Sequence, residues 1–239
     1  MTSIPDYKIF PLGDSALTID FGNTINECLN DTVISIFNSL QQNPFEGLIE
    51  SVPAYSSLTI YYDISIINKI IKNESTVFHW IKNKVNEQLQ QKQVLLNKKV
   101  STVSIPVCYD KKYAPDLEWM SEHIKISCEE IIQLHCDTTY RVFMLGFLPG
   151  FAYMGTVNNK IEAPRKQKPQ NVSEGSVGIA GKQTGIYPLS SPGGWQIIGR
   201  TPLKLFNKKE GNTLLNPGDS VRFYSINKDE FDNIESRNS

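Results

Sequence analysis

Acidic side chains are missing from one long stretch of this 239-residue chain. No aspartate or glutamate lies between Glu174 and Glu210, whereas this interval contains the basic residues Lys182, Arg200, Lys204, Lys208 and Lys209. Basic groups without acidic neighbours in sequence, combined with the free backbone amides of glycine-rich turns, are typical of an anion site. The pattern therefore predicts either a carboxylate- or phosphate-binding surface or, more simply, a β-rich core with tight turns.

Other features are also scarce, and each absence excludes a class of protein. A net charge of −1 gives no basic footprint for nucleic acid or an anionic membrane. The N-terminus lacks the basic and apolar regions of a secretory signal, and the longest apolar run, Val142 to Met154, is too short to span a bilayer. No CxxC pair or metal-ligand spacing connects the four cysteines, which are Cys28, Cys108, Cys128 and Cys136. We expect a soluble cytoplasmic protein with free thiols and no metal.

Familiar catalytic motifs are missing as well. A Walker A loop needs a glycine at position 176 and Ser or Thr at position 183, where this chain has Ser176 and Gln183. The histidines at 79, 123 and 135 are scattered, and Ser191 is outside a GxSxG elbow. The glycine-rich stretch offers neither a carboxylate nor a histidine as a general base, although Glu162 and Glu174 flank it. The chain is therefore predicted to form part of a site, to be inactive alone, and to need a partner.

Hydrophobic periodicity predicts two domains, residues 1–92 and 93–239, separated by the polar segment Gln88 to Lys99. The first has a strand–helix–strand–strand–helix order, which indicates a small α+β sandwich. In the second, Ser127 and Glu130 have capping-box spacing before a short helix. From Thr139 onward the pattern is strands and turns without helical periodicity, so we expect a mostly-β barrel and a frayed tail after Lys228.

Candidate site residues come from the segment Arg141 to Phe206, which holds most of the chain's 15 glycines. Arginine can bind a carboxylate or phosphate bidentately, and Tyr or Trp offers a flat face with a polar tip. The candidates for binding a substrate or anion are Arg165, Gln183, Thr184, Tyr187, Trp195 and Arg200. The glycines expected to form backbone turns around them are Gly178, Gly181, Gly185, Gly193 and Gly194.

Four sequence motifs in this segment carry a specific resemblance: Gly146 to Phe151, Ala163-Pro164-Arg165, Gly175 to Gly185 and Ser191 to Leu203. They resemble the family that contains the B subunit of ATP-dependent 5-oxoprolinase, the histidine-kinase inhibitor KipI, and related carboxyltransferase regions (subdomains C and D) of allophanate hydrolase and urea carboxylase. Weaker matches at Gly13 to Leu17 and Val52 to Tyr55 extend the resemblance over nearly the whole chain.

The resemblance implies a cyclophilin-like barrel and a subunit that cleaves 5-oxo-L-proline to L-glutamate with ATP hydrolysis, together with A and C subunits. ATP would then act at the level of the complex. Two alternatives remain open: a regulator that inhibits a sensor histidine kinase, and a component acting on urea or a related amide with biotin. The chain has no biotin-carrier lysine motif, which disfavours a complete biotin enzyme.

Overall fold

The computed structural model describes residues 5–71, 76–90 and 102–237, which fall into two compact units, Met1–Lys99 and Val100–Ser239. Most of the polar segment predicted to separate the domains, Gln88 to Lys99, lies outside the described residues. Each unit is described by itself.

The first unit is an antiparallel sheet of four strands with helices packed on it. Its elements are β1 (Lys8–Pro11), β2 (Ala16–Asp20), α1 (Glu27–Gln42), β3 (Leu48–Pro53), β4 (Ser57–Tyr62), α2 (Ile64–Ile70) and α3 (Val77–Gln90). The strand order is β1-β2-β4-β3. Alternation along β2 and β4 puts Leu17, Ile19, Leu58 and Ile60 on one face, where each is fully buried. The predicted α+β content of this region is confirmed.

Local capping signals set the helix starts in the first unit. Asn26 Oδ1 accepts a hydrogen bond from the Leu29 amide at 3.1 Å, at the start of α1. Asp63 Oδ1 accepts from the amides of Ser65 and Ile66 at the start of α2, so Asp63 is the cap of that helix. Short polar side chains satisfy amides that have no partner within the helix, which is why these residue types begin helices.

The second unit is built around a closed barrel of seven strands in the order β10-β7-β6-β15-β5-β12-β9. Its elements are β5 (Thr102–Cys108), α4 (Leu117–Ile124), α5 (Cys128–Asp137), β6 (Thr139–Leu145), β7 (Ala152–Gly155), β8 (Gln170–Val172), β9 (Ser176–Ala180), β10 (Gln183–Ile186), β11 (Ser191–Gly193), β12 (Gln196–Arg200), β13 (Phe206–Asn207), β14 (Asn212–Thr213), β15 (Ser220–Ile226) and α6 (Lys228–Arg237). The predicted barrel is confirmed, within a unit of mixed helix and strand content.

Two expectations for this unit have different outcomes. Ser127 Oγ accepts from the Glu130 amide at 3.1 Å, which confirms the predicted helix start at α5. The expected frayed tail after Lys228 is wrong, because residues 228–237 form α6. Phe231 is fully buried in this helix and stacks on Tyr113 at a ring-centroid distance of 4.4 Å. A capping box between Asn227 and Glu230, which the sequence reading missed, begins this helix.

Candidate functional site

An aromatic cluster forms part of the glycine-rich segment, with Phe151 at its centre. The ring centroid of Phe151 lies 5.1 Å from that of Tyr187 and 5.4 Å from that of Trp195, both in edge-to-face geometry. Tyr187 and Trp195 are almost completely buried. Phe147, with 61% of its surface exposed, extends the cluster to solvent at 5.7 Å from Phe151. The predicted candidates Tyr187 and Trp195 therefore shape the wall of this surface and present little area to a ligand.

Two glycines of this segment, Gly185 and Gly193, leave space for those rings. A Cβ on Gly185 would lie 3.0 Å from the Trp195 ring and 3.1 Å from the Phe151 ring. A Cβ on Gly193 would lie 2.7 Å from Cζ of Tyr187. Gly178, Gly185 and Gly193 lie within β9, β10 and β11, so their prediction as turn residues is wrong. Rings packed flat on a strand exclude a side chain there, and sequence alone does not separate that requirement from a turn.

Gly181 and Gly194 lie between strands. Gly181 sits in the β9–β10 connection with φ +57°, a backbone conformation that L side chains rarely adopt. Gly194 follows β11, and its carbonyl oxygen accepts from the Lys166 amide at 2.7 Å. This bond ties the loop that carries Arg165 to the barrel.

Arg165 lies at an open cleft of about 670 Å³ beside this cluster. Its guanidinium carbon is 5.9 Å from the centroid of the Trp195 ring, within cation–π range. The residues that line the cleft come from α4 and its preceding turn, from the Arg165 loop and from β12: Asp116, Trp119, His123, Pro164, Arg165, Lys166, Gln167, Lys168, Gln170 and Gln196. Its volume falls in the range of small-molecule sites.

The charges in this cleft are unevenly paired. Lys166 Nζ lies 2.6 Å from Asp116 Oδ2, and both side chains are mostly buried. The same carboxylate oxygen accepts from the Ile197 amide at 2.6 Å, so Asp116 is committed to structure. Neither Arg165 nor Lys168 has a carboxylate partner in the part of the chain that the structure describes. These two cations therefore remain available to an anionic ligand.

Sequence reasoning missed the contribution of α4. The expectation that this surface offers no histidine is wrong for the folded chain, because His123 lines the cleft. Its ring stacks on Trp119, at a centroid distance of 4.7 Å and an interplanar angle of 12°. The i, i+4 spacing of Trp119 and His123 on a helix was a signal that they share a face, but nothing in sequence placed that face beside Arg165.

Thr184, another predicted site residue, is in the barrel core. It is fully buried; His135 Nε2 lies 3.0 Å from its hydroxyl, which donates to the Gly178 carbonyl at 3.1 Å. Burial lowers the pKa of His135 to about 3, so its imidazole is neutral at pH 7. Gln183, at the start of β10, is partly buried and pairs with Gly155 across the sheet.

Arg200 lies at a separate pocket of about 390 Å³ that includes Glu174, Thr201, Asp232 and Glu235. Its Nε donates to the Glu174 carbonyl at 2.8 Å, and its Nη2 is 3.5 Å from Glu235 Oε1. Its guanidinium carbon also lies 5.8 Å from the Tyr113 ring centroid and 5.6 Å from that of Phe231. The acid-free environment expected from sequence is thus wrong in space, because α6 supplies carboxylates.

Arg165 and Arg200 do not share one site. Arg200 ends β12, and Gln196, which lines the Arg165 cleft, begins it. Four strand intervals separate them, or about 13 Å at the usual rise per residue.

Among residues 5–71, 76–90 and 102–237 no cluster of side chains could hold a metal ion. The described helices include none long and apolar enough to cross a membrane.

The family model of the carboxyltransferase domain, subdomains C and D, matches residues 7–215. The chain belongs to this family. The B subunit of 5-oxoprolinase from Bacillus subtilis (strain 168) is 44% identical over 230 residues, which are 94% of this chain and 95% of that protein. The B subunit of 5-oxoprolinase from Escherichia coli O157:H7 is 33% identical, covering 90% of this chain and 94% of that one.

One solved structure gives the same result for the fold. The crystal structure of TTHA0988 superposes with a TM-score of 0.75 at 32% identity. The match covers 88% of this chain and 40% of that longer one. The family predicted from the four motifs is thereby confirmed.

Proposed function

We propose that this chain is the B subunit of an ATP-dependent 5-oxoprolinase, which cleaves 5-oxo-L-proline to L-glutamate with ATP hydrolysis. Relatives bearing that name match it over nearly their whole length. The observation from this structure that carries the proposal is the Arg165 cleft, where Arg165 and Lys168 lack carboxylate partners among the described residues. A small molecule that carries a carboxylate can pair with these two cations.

The chemistry of the reaction fits a cationic cleft. The lactam of 5-oxoproline is unstrained and resists hydrolysis, and phosphorylation of its amide oxygen by ATP would activate the carbonyl carbon. Arg165 binds the substrate carboxylate, and Lys168 stabilises negative charge that develops on the activated amide. Fixed cations at the position where charge develops stabilise a transition state without reorganising.

The other candidates take supporting positions in this proposal. Trp195 and Tyr187 support the Arg165 side chain from the aromatic cluster. Burial raises the pKa of Tyr187, and the nearby charge of Arg165 lowers it by a smaller amount. Thr184 and Gln183 hold β10 in the barrel. Arg200 remains a candidate anion ligand only if its contacts with Glu235 open.

Partner subunits complete the site. Asp116, the carboxylate among the cleft residues, is occupied by Lys166 and the Ile197 amide and is not free to act as a base, which leaves His123 as the candidate base in the cleft. We propose that A and C subunits supply the remaining groups, including those that bind ATP, and that the isolated chain is inactive. The complex would act in the cytoplasm. No described feature of the cleft favours kinase inhibition or a biotin-dependent role.

The type of barrel and the boundary between the domains are also part of what we propose. We propose that the barrel is of the cyclophilin type and that the two domains are residues 1–92 and 93–239. The two compact units support this division.

Reconstitution tests the function directly. We expect no glutamate release from 5-oxoproline and ATP with the purified chain alone, and ATP-dependent release when its A and C partners are added. Each pairwise mixture serves as a control. Turnover by this chain alone would contradict the need for partners, and an inactive three-subunit mixture of folded proteins would contradict the function.

A further inference from the structure

Gln196 is a buried amide with one unused end. Its side chain is only 4% exposed, yet it lines the Arg165 cleft. Its Nε2 donates to the Pro164 carbonyl oxygen at 2.8 Å. A carbonyl oxygen only accepts hydrogen bonds, so this contact fixes which end of the amide is nitrogen. The Oε1 oxygen has no hydrogen-bond donor among the described residues, which leaves a fixed acceptor for a ligand.

The same hydrogen bond places this acceptor beside the cleft's cation. Pro164, which holds Gln196 Nε2, directly precedes Arg165. On the other side of Arg165, the Lys166 amide donates to the Gly194 carbonyl at 2.7 Å. The Lys166 ammonium is itself held by Asp116 at 2.6 Å. The loop is thus anchored on both sides of Arg165, so the backbone that carries Arg165 is held next to the Gln196 amide.

A ligand for this pair must carry a hydrogen-bond donor next to an anion. In 5-oxoproline the lactam N–H is on the ring atom adjacent to the carbon that bears the carboxylate. A ligand that covers this acceptor without donating to it leaves the acceptor unpaired, so a site of this kind discriminates strongly between a ligand with the N–H and one without it.

We propose that Gln196 is the specificity-determining residue for the lactam: its Oε1 accepts the N–H of 5-oxoproline while Arg165 binds the carboxylate. This inference rests on the proposed function and adds to it a residue that the sequence motifs did not single out. In a five-membered lactam the N–H and the C=O point to the same side of the ring, so in this geometry the lactam carbonyl also lies beside the Gln196 amide.

The test compares two ligands that differ at one ring position. In 3-oxocyclopentane-1-carboxylate a methylene replaces the N–H of 5-oxoproline, and the ketone and the carboxylate are kept. Titration calorimetry of each compound with the assembled complex, without ATP, gives the two dissociation constants. We expect the wild-type complex to bind 5-oxoproline at least about tenfold more tightly than the ketone, the effect of one hydrogen bond to an acceptor that the bound ligand covers.

Two variants separate the roles of acceptor and cation. Gln196→Met keeps side-chain length without an amide, and we expect the preference for 5-oxoproline to fall below about threefold. Arg165→Gln changes an exposed residue, so the fold is retained, and we expect both compounds to bind about tenfold or more weakly with their ratio unchanged. Lys208→Gln, an exposed charge outside the cleft, should leave both constants unchanged.

Equal affinity of the wild-type complex for both compounds would overturn the assignment. The same conclusion follows if Arg165→Gln weakens ATP binding and leaves 5-oxoproline binding unchanged, since the cleft would then be a nucleotide site. A folded Gln196→Met complex that keeps the wild-type preference would overturn it as well. If that variant unfolds, the ratio of the two wild-type dissociation constants still tests the assignment, because equal affinity contradicts it. A complex that discriminates the two ligands as expected but releases no glutamate would keep this site and overturn the proposed function instead.

Discussion

His135 Nε2 lies 3.0 Å from Thr184 Oγ1 in the barrel core, which joins α5 to β10. Because the Thr184 hydroxyl donates to the Gly178 carbonyl, it accepts from His135, and Nε2 carries the imidazole proton. Nδ1 then accepts from the Tyr109 hydroxyl at 2.8 Å. Burial raises the pKa of Tyr109 well above its ordinary value, so that hydroxyl keeps its proton. The chain of hydrogen bonds is satisfied internally, and Thr184 is part of it.

Thr184→Val removes both hydrogen bonds of this hydroxyl while keeping the shape of the side chain. We expect the free energy of unfolding to fall by about 1–3 kcal/mol, because His135 Nε2 and the Gly178 carbonyl lose a partner inside the core. Urea unfolding followed by circular dichroism measures it. Thr139→Val, at an exposed position of β6, is the matched control and should change stability by less than about 0.5 kcal/mol. Equal stability of the two variants would contradict the proposed hydrogen bonding.

The buried imidazole makes stability depend on pH. Burial lowers the pKa of His135 from 6.5 to about 3, so between these values the unfolded chain binds a proton that the folded chain does not. This contribution to stability is fully present above pH 6.5 and is lost as the pH falls toward 3. The slope from this one group approaches about 1.4 kcal/mol per pH unit.

The measurement is the free energy of unfolding at pH 7.0, 6.0 and 5.5, above the range where carboxylates titrate strongly. We expect His135→Gln to be less stable than the wild type at pH 7 and to have a flatter pH dependence. His123→Gln, at an exposed histidine, should reproduce the wild-type slope. A wild-type slope that His135→Gln leaves unchanged would show that another group titrates.

The start of α5 was predicted from sequence because Ser127 caps with the neighbouring Glu130 amide. Helix α6 also begins with a local signal, a capping box in which Asn227 Oδ1 accepts from the Glu230 amide and Glu230 Oε2 accepts from the Asn227 amide. The prediction missed that signal. No local pattern shows that Phe231 stacks against Tyr113, more than a hundred residues away in sequence. A capping residue acts within one turn, whereas that stacking exists only in the folded unit.

The candidate site likewise combines a residue that its motif predicted with residues that only the fold brings near it. Arg165 was predicted from its motif and does line the cleft, but its neighbours His123 and Asp116 come from the region of α4. Gln196 was part of a quoted motif, and its significance depends on being 4% exposed with one end held by Pro164. Burial and hydrogen-bond partners of this kind follow from the fold, and no local pattern encodes them.

Gly185→Ala tests whether this glycine provides space for the aromatic cluster. The added methyl would lie 3.0 Å from both the Ala152 carbonyl oxygen and the Trp195 ring, closer than normal contact. We expect a loss of about 1–3 kcal/mol in stability from overpacking, together with altered tryptophan fluorescence. Gly194→Ala is the control, since its nearest neighbour would be 3.9 Å away, and it should be nearly neutral. Equal tolerance of both substitutions would contradict the packing role.

Limited proteolysis tests the domain division at residues 92 and 93. A polar segment without core-forming periodicity is a preferred site for cleavage. We expect the first cuts between Gln88 and Lys99, giving two protease-resistant fragments identified by mass spectrometry. First cuts confined to Gly175 to Gly199 would contradict the division, because that segment contains barrel strands.

Arg200→Lys decides between a structural and a ligand-binding role for Arg200. Lysine keeps the charge but loses the Nε bond to the Glu174 carbonyl and the planar group near the stacked rings of Tyr113 and Phe231. We expect stability to fall by about 1–2 kcal/mol, mainly from the lost hydrogen bond. Thermal and urea unfolding measure it. Glutamate release by the assembled complex should fall only in proportion to the folded fraction.

Glu235→Gln is the matched control, because it removes the carboxylate of the ion pair and leaves the other Arg200 contacts in place. Both side chains of that pair are partly exposed, so water screens their attraction and the variant should lose less than about 1 kcal/mol. If Arg200→Lys instead lowers turnover more than tenfold while stability and subunit association stay at wild-type values, its guanidinium binds an anion during the reaction. The contacts with α6 would then have to open in the assembled enzyme, and Glu235→Gln, which weakens them, would raise the affinity for that anion.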